Sequence, residues 1–128
     1  MKTLKILLTL VIFSSVCFAQ NSIELINACK KGDLQAVKTL IRSGADINSE
    51  DKGGVTALMW AAKNGHLEIV KELLKFGVSI RIKEYGTAVC AIDGNNIEIL
   101  KLIFEKICSE SSRRDKESIY KDLLKYSI

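Results

Sequence analysis

A shift of about 33 residues lays one stretch of this chain on another, and this self-similarity constrains the fold more than any other feature. Leu25 to Asn48 reads LINACKKGDLQAVKTLIRSGADIN, and Leu58 to Arg81 reads LMWAAKNGHLEIVKELLKFGVSIR. Leu25, Ala28, Gly32, Leu34, Val37, Leu40, Gly44 and Ile47 meet Leu58, Ala61, Gly65, Leu67, Val70, Leu73, Gly77 and Ile80. Such apolar and glycine positions are what stacked units need when each buries its face against the next. A weaker third copy runs from Ala88 to about Ile107, keeping Ala91, Ile97, Ile99 and Ile103 at a shift near 30. Its missing residues fall in the turn near Tyr85-Gly86.

Each copy reads as two helices. Thr56 can cap a short helix that runs to about Asn64, and Gly65 can end it in a left-handed conformation. A second helix follows from Leu67 to Phe76, with Leu67, Val70, Leu73 and Leu74 as its buried stripe and Lys71, Glu72 and Lys75 facing outward. Gly77 ends it, and Val78 to Lys83 forms an extended turn. The chain has no Pro, so its helix ends fall to Gly, Asn, Ser and Asp, and Pro-rich linkers are excluded.

Residues 51–80 resemble the ankyrin repeat, whose pattern is D-x-x-G-x-T-P-L-H-x-A-A-x-x-G-H-x-E-[VI]-V-x-x-L-L-x-x-G-A-D-[VI]-N. Asp51, Gly54, Thr56, Leu58, Ala61, Ala62, Gly65, His66, Glu68, Ile69, Val70, Leu73, Leu74, Gly77 and Ile80 stand at matching places. The first copy supplies the pattern's end as Gly44-Ala45-Asp46-Ile47-Asn48. Departures are Ala57 for Pro, Met59 for His and Val78-Ser79 for Ala-Asp. The resemblance implies an all-α ankyrin-repeat solenoid, with units over 22–50, 51–83 and 84–108 of a repeat domain spanning 20–108.

Residues 1–19 read as a cleavable signal peptide. Lys2 and Lys5 precede the apolar run Ile6 to Phe13, and Cys17-Phe18-Ala19 fits a cleavage site ahead of Gln20. The alternative is an uncleaved anchor, but the run falls short of the ~20 residues of a spanning helix. Cleavage leaves about 109 of the 128 residues, with no membrane span, and lowers the formal charge from +4 to about +2. That charge gives no nucleic-acid signature. A periplasmic or secreted chain is expected, and the Lys- and Ile-rich composition suggests a bacterial source. Cys29, Cys90 and Cys108 would remain. Free thiols are the first expectation, with a Cys90–Cys108 pair as the alternative.

Residues 109–128 read as a polar linker at Ser111 to Arg114 and a C-terminal capping helix with Ile119, Leu123 and Tyr126 on one face. A degenerate fourth inner helix is the close alternative.

No catalytic constellation is legible. His66 is the only histidine, and its Gly-His context assigns it to bracing the inter-helix turn. No metal-ligand spacing, phosphate loop or paired carboxylates appear, so no cofactor or metal is expected. Cys29 sits where the second copy has Ala62, a packed small-residue site. Trp60 reads first as core packing and second as a binding anchor.

The resemblance implies that turn tips and inner-helix ends meet a protein partner across the concave face. These are Lys52, Gly53, Val55, Lys63, Asn64 and Lys83 in the second unit, Lys30 and Lys31 in the first, and Asp93 and Gly94 in the third. Lys30, Lys31 and Lys63 would form a basic stripe. The expected function is a non-enzymatic protein-interaction module, with an inhibitor or immunity-type protein that blocks a toxin or enzyme as the alternative. Oligomeric state is not legible.

Overall fold

The computed structural model describes residues 1–80, 86–110 and 121. Six helices are described in chain order: α1 (Lys2–Lys31), α2 (Leu34–Arg42), α3 (Ala57–Lys63), α4 (Leu67–Lys75), α5 (Gly86–Asp93) and α6 (Ile97–Glu110). The pairs α1/α2, α3/α4 and α5/α6 pack as hairpins. The inner helices α1, α3 and α5 stack side by side, and the outer helices α2, α4 and α6 form a second row. The fold is therefore all-α, a stack of helix pairs.

Backbone chemistry sets the unit boundaries. The Thr56 hydroxyl accepts from the Met59 N–H at 3.3 Å and caps α3. Asp33 caps α2 by accepting from the Ala36 N–H at 3.0 Å. Each inner helix then turns through a left-handed residue: Gly32 at φ 85°, Gly65 at φ 77° and Asn95 at φ 54°. Asn takes over in the third unit because it tolerates this region better than other side-chain-bearing residues.

The core is repeated as well. Leu25, Ala28 and Cys29 of α1, Leu58, Ala61 and Ala62 of α3, and Ala88 and Ala91 of α5 are buried. Their small residues let the inner helices approach closely. Two glycines extend this logic. A Cβ on Gly94 would run into the carbonyl oxygen of Lys63, and one on Gly86 would come 2.5 Å from the Met59 methyl. Gly86 thus opens α5 rather than lying in the shortened turn, and there the flexible end of Met59 from α3 packs against it.

The outer row departs from the sequence reading in two places. Ile69 is buried with Val70 and Leu73, while Leu67 and Leu74 are half-buried. The helix α4 packs on α3 and lies between α2 and α6, so its buried arc is wider than one stripe. Glu72 does not face outward. Its side chain is 19% exposed and lies 3.9 Å from Lys38 of α2 and 3.4 Å from Lys75.

The first helix is continuous from Lys2 into the first unit, since no Gly or Pro interrupts it. Its two ends differ. Leu4, Ile6, Leu7, Leu8, Leu10, Val11, Ile12 and Phe13 are all exposed, whereas burial begins at Ser22. The Ser22 hydroxyl accepts from the Asp46 N–H at 3.2 Å, tying the start of the packed region to the end of the first unit. Among the described residues no helix is long and apolar enough to cross a membrane.

At the other end, Ile97, Leu100, Phe104 and Cys108 line an open groove of about 540 Å³ flanked by Lys101 and Glu105. In register these residues repeat Leu67, Val70, Leu74 and Val78, of which Val70 and Val78 are buried. The groove is thus the face on which a further unit would stack. The expected linker and capping helix lie, beyond Glu110, outside the described residues except for Lys121.

Candidate functional site

Inner-helix ends and a hairpin tip converge on Trp60. The hairpin forms because Asp51 organises it. Its Oδ1 accepts from the Gly53 N–H at 2.8 Å and the Val55 N–H at 3.0 Å, and the Gly54 N–H donates to the Asp51 carbonyl at 2.9 Å. A bridge between Glu50 and Thr56 closes the base. The second carboxylate oxygen accepts from the Trp60 indole N–H at 3.0 Å, which fixes the ring against the hairpin. These bonds, the Trp60 one foremost, with Val55, Gly53 and the nearby charge of Lys30, hold the Asp51 carboxyl below its usual range.

Trp60 is half-buried, neither sealed in the core nor free. The Lys30 ammonium sits 3.8 Å from its ring centroid and that of Lys63 5.9 Å away. Both distances fall within cation–π range. Lys30 from the first unit and Lys63 from the second therefore meet at one aromatic, as the basic stripe required. Lys31 is exposed at the end of α1, and Lys52 is exposed on the hairpin.

The other expected contact residues separate into structural and exposed ones. Asn64 is exposed, yet its amide nitrogen donates to the Lys30 carbonyl at 2.9 Å and ties the second unit to the first. Val55 is half-buried and Gly53 is exposed, and both donate backbone N–H groups to Asp51. Gly94 abuts the Lys63 backbone, so its role is close packing. Asp93 is exposed at the end of α5. Lys83 lies outside the described residues.

His66 braces two units rather than one turn. Its ring lies over Gly32, where a Cβ would come 2.6 Å from Cε1, and Nε2 is 3.3 Å from the Lys30 carbonyl. A carbonyl only accepts, so this contact is a hydrogen bond in the tautomer that has its hydrogen on Nε2. Asn96, which sequence reasoning missed, does the same work one unit on, packing over Gly65 and donating to the Ala62 carbonyl at 3.4 Å. Its register with His66 was the available signal. Also missed was Asn48, whose side-chain oxygen accepts from the Ser79 N–H at 2.7 Å across the unit boundary. The Asp51–Trp60 bond carried no sequence signal at all.

Cys29 is fully buried, and burial pushes its thiol up to about 12. Burial also raises the Cys90 thiol, opposed by Lys63 nearby. All four cysteines are free. Among the described residues no three His, Cys, Asp or Glu side chains gather as a metal site would require.

The geometry defines a stacked helix-pair solenoid with a polar, lysine-bearing inner edge, a class of protein-binding scaffold. A family model described as ankyrin repeats (3 copies) matches residues 25–115. The chain belongs to the ankyrin-repeat family, and its repeats mark it as a protein–protein interaction module. No curated protein matches it.

Proposed function

We propose that this chain is an exported, non-catalytic ankyrin-repeat protein that binds a protein partner across its concave edge. The observation that carries the reading is the Lys30–Trp60–Lys63 cluster, where two units present charge and a fixed aromatic together. Trp is enriched at binding hot spots, and an indole pinned by Asp51 loses little freedom on contact. Binding is passive: the stack is already ordered, so the partner meets a preformed surface.

Export is supported by Lys2 and Lys5 ahead of the exposed apolar run Ile6 to Phe13, and by packing that starts only at Ser22. Cleavage before Gln20 would leave the packed units whole and place them in the periplasm or outside the cell. With α6 running to Glu110, the chain beyond it is the proposed linker and cap for the groove at Ile97, Leu100, Phe104 and Cys108.

Affinity capture from the chain's own compartment tests the reading. A specific protein held by the wild type and by Lys71→Glu, but lost from Lys30→Glu/Lys63→Glu, is the expected result. Equal retention by all three would overturn it.

A further inference from the structure

Two groups of described lysines differ in their partners. On the outer helices, Lys71 pairs with Glu68 at 2.9 Å, and Lys38 and Lys75 flank Glu72 at 3.9 and 3.4 Å. On the inner edge, Lys30, Lys31, Lys52 and Lys63 make no ion pair among the described residues. The lysines of α2 and α4 are partly offset by Glu68 and Glu72, whereas those of the inner edge have no ion-pair partner among the described residues.

Asp51 beside the inner-edge lysines offsets only part of their charge: it feels Lys30 electrostatically but stands as one carboxylate against four lysines. Both oxygens of Asp51 are committed, one to the Gly53 and Val55 N–H groups and the other to the Trp60 indole. Lys30 rests on the indole face instead, at 3.8 Å. An ammonium has three N–H donors, so contact with a ring on one side leaves donors directed elsewhere. Asp93 occupies in the third unit the register position of Lys63, so the lysine at that inner-helix end is not repeated there.

Resting on the protein-binding reading above, we infer that the Lys30–Trp60–Lys63 edge recognises an acidic peptide segment, whose carboxylates pair with Lys30 and Lys63 on either side of the indole. Lys52 on the hairpin and Lys31 on α1 extend the same field. Among the described residues the edge has no Arg with which to fork phosphates, and Asp93 stands at one end, so a peptide fits it better than a nucleic-acid backbone.

Trp60 is the only tryptophan, so intrinsic fluorescence reads this site directly. The full chain is titrated with a hexaglutamate peptide, with hexalysine and with a single-stranded hexanucleotide, and anisotropy of the labelled probes gives a second readout. The expected result is saturable hexaglutamate binding that weakens with added salt. It weakens about five- to tenfold in Lys30→Gln/Lys63→Gln, while Lys71→Gln leaves it unchanged. Both variants alter exposed side chains, and circular dichroism confirms that each keeps its helices. No saturable binding by either readout, an equal loss in Lys71→Gln, or tighter binding of the hexanucleotide would overturn the inference. If hexaglutamate fails while the capture experiment retains a partner through this edge, the acidic class falls and the protein-binding reading stands.

Discussion

Replacing Cys29 with alanine should reverse its effect on stability between mildly and strongly alkaline solution. The side chain is 0% exposed, and burial lifts its thiol from 9.0 to about 12. The equivalent position of the second unit is Ala62, also 0% exposed, so alanine fits the local backbone. At pH 8 the thiol is neutral in both states, and losing one buried sulfur costs about 1 kcal/mol. The folded value lies above the unfolded one, so the thiol's contribution is complete below pH 9 and is lost as the pH rises towards 12. At pH 11 about 99% of unfolded thiols but only about a tenth of folded ones are ionised, which removes roughly 2–3 kcal/mol from the wild type. Lysine and tyrosine ionisation is common to both proteins and cancels. Cys29→Ala should therefore be less stable than wild type at pH 8 and more stable by about 1–2 kcal/mol at pH 11. Urea unfolding followed by circular dichroism, with a reductant present, measures both differences. A gap that does not change with pH would refute the reasoning and place Cys29 outside the packed inner row.

Other perturbations probe the stack. Gly94→Ala drives a methyl into the Lys63 carbonyl and forces α3 and α5 apart, costing about 2–3 kcal/mol in urea unfolding. Gly77→Ala meets no atom within 4 Å and bears only the strain of φ 78°, about 1–2 kcal/mol. The reverse ranking would contradict the close approach. Ala57→Pro should raise the melting temperature through a gain of about 0.4–1 kcal/mol, because Thr56 already has the extended ψ of 165° that a following proline requires. A lowered melting temperature would show that the α3 N-terminus is misassigned. Ending the chain at Glu110 should uncover the groove at Ile97, Leu100 and Phe104, giving apolar-dye binding and self-association in sedimentation. An unchanged monomer without dye binding would remove the capping role from the tail.

What the sequence disclosed was whatever repeats. Gly32 and Gly65 announced the left-handed turns, and Thr56 announced the cap, because one backbone geometry recurs at one register. Asn95 and Asn96 broke that register chemically while keeping it geometrically, so they escaped notice. The burial of Ile69 and the position of Glu72 depend on flanking helices, which periodicity within a single helix does not encode. At the candidate site, spacing placed Lys30 and Lys63 on one edge. That they meet on Trp60, and that Asp51 pins the indole, follows from long-range packing of the hairpin against α3.

The partner is proposed to sit on the inner edge, not the outer row. Photo-crosslinking residues placed singly at Lys52, Lys63 and Lys71 test it within living cells of the source. Crosslinks to the same protein from positions 52 and 63, with none from 71, are expected. Crosslinks from 71 alone would contradict it and move the binding surface to the outer helices.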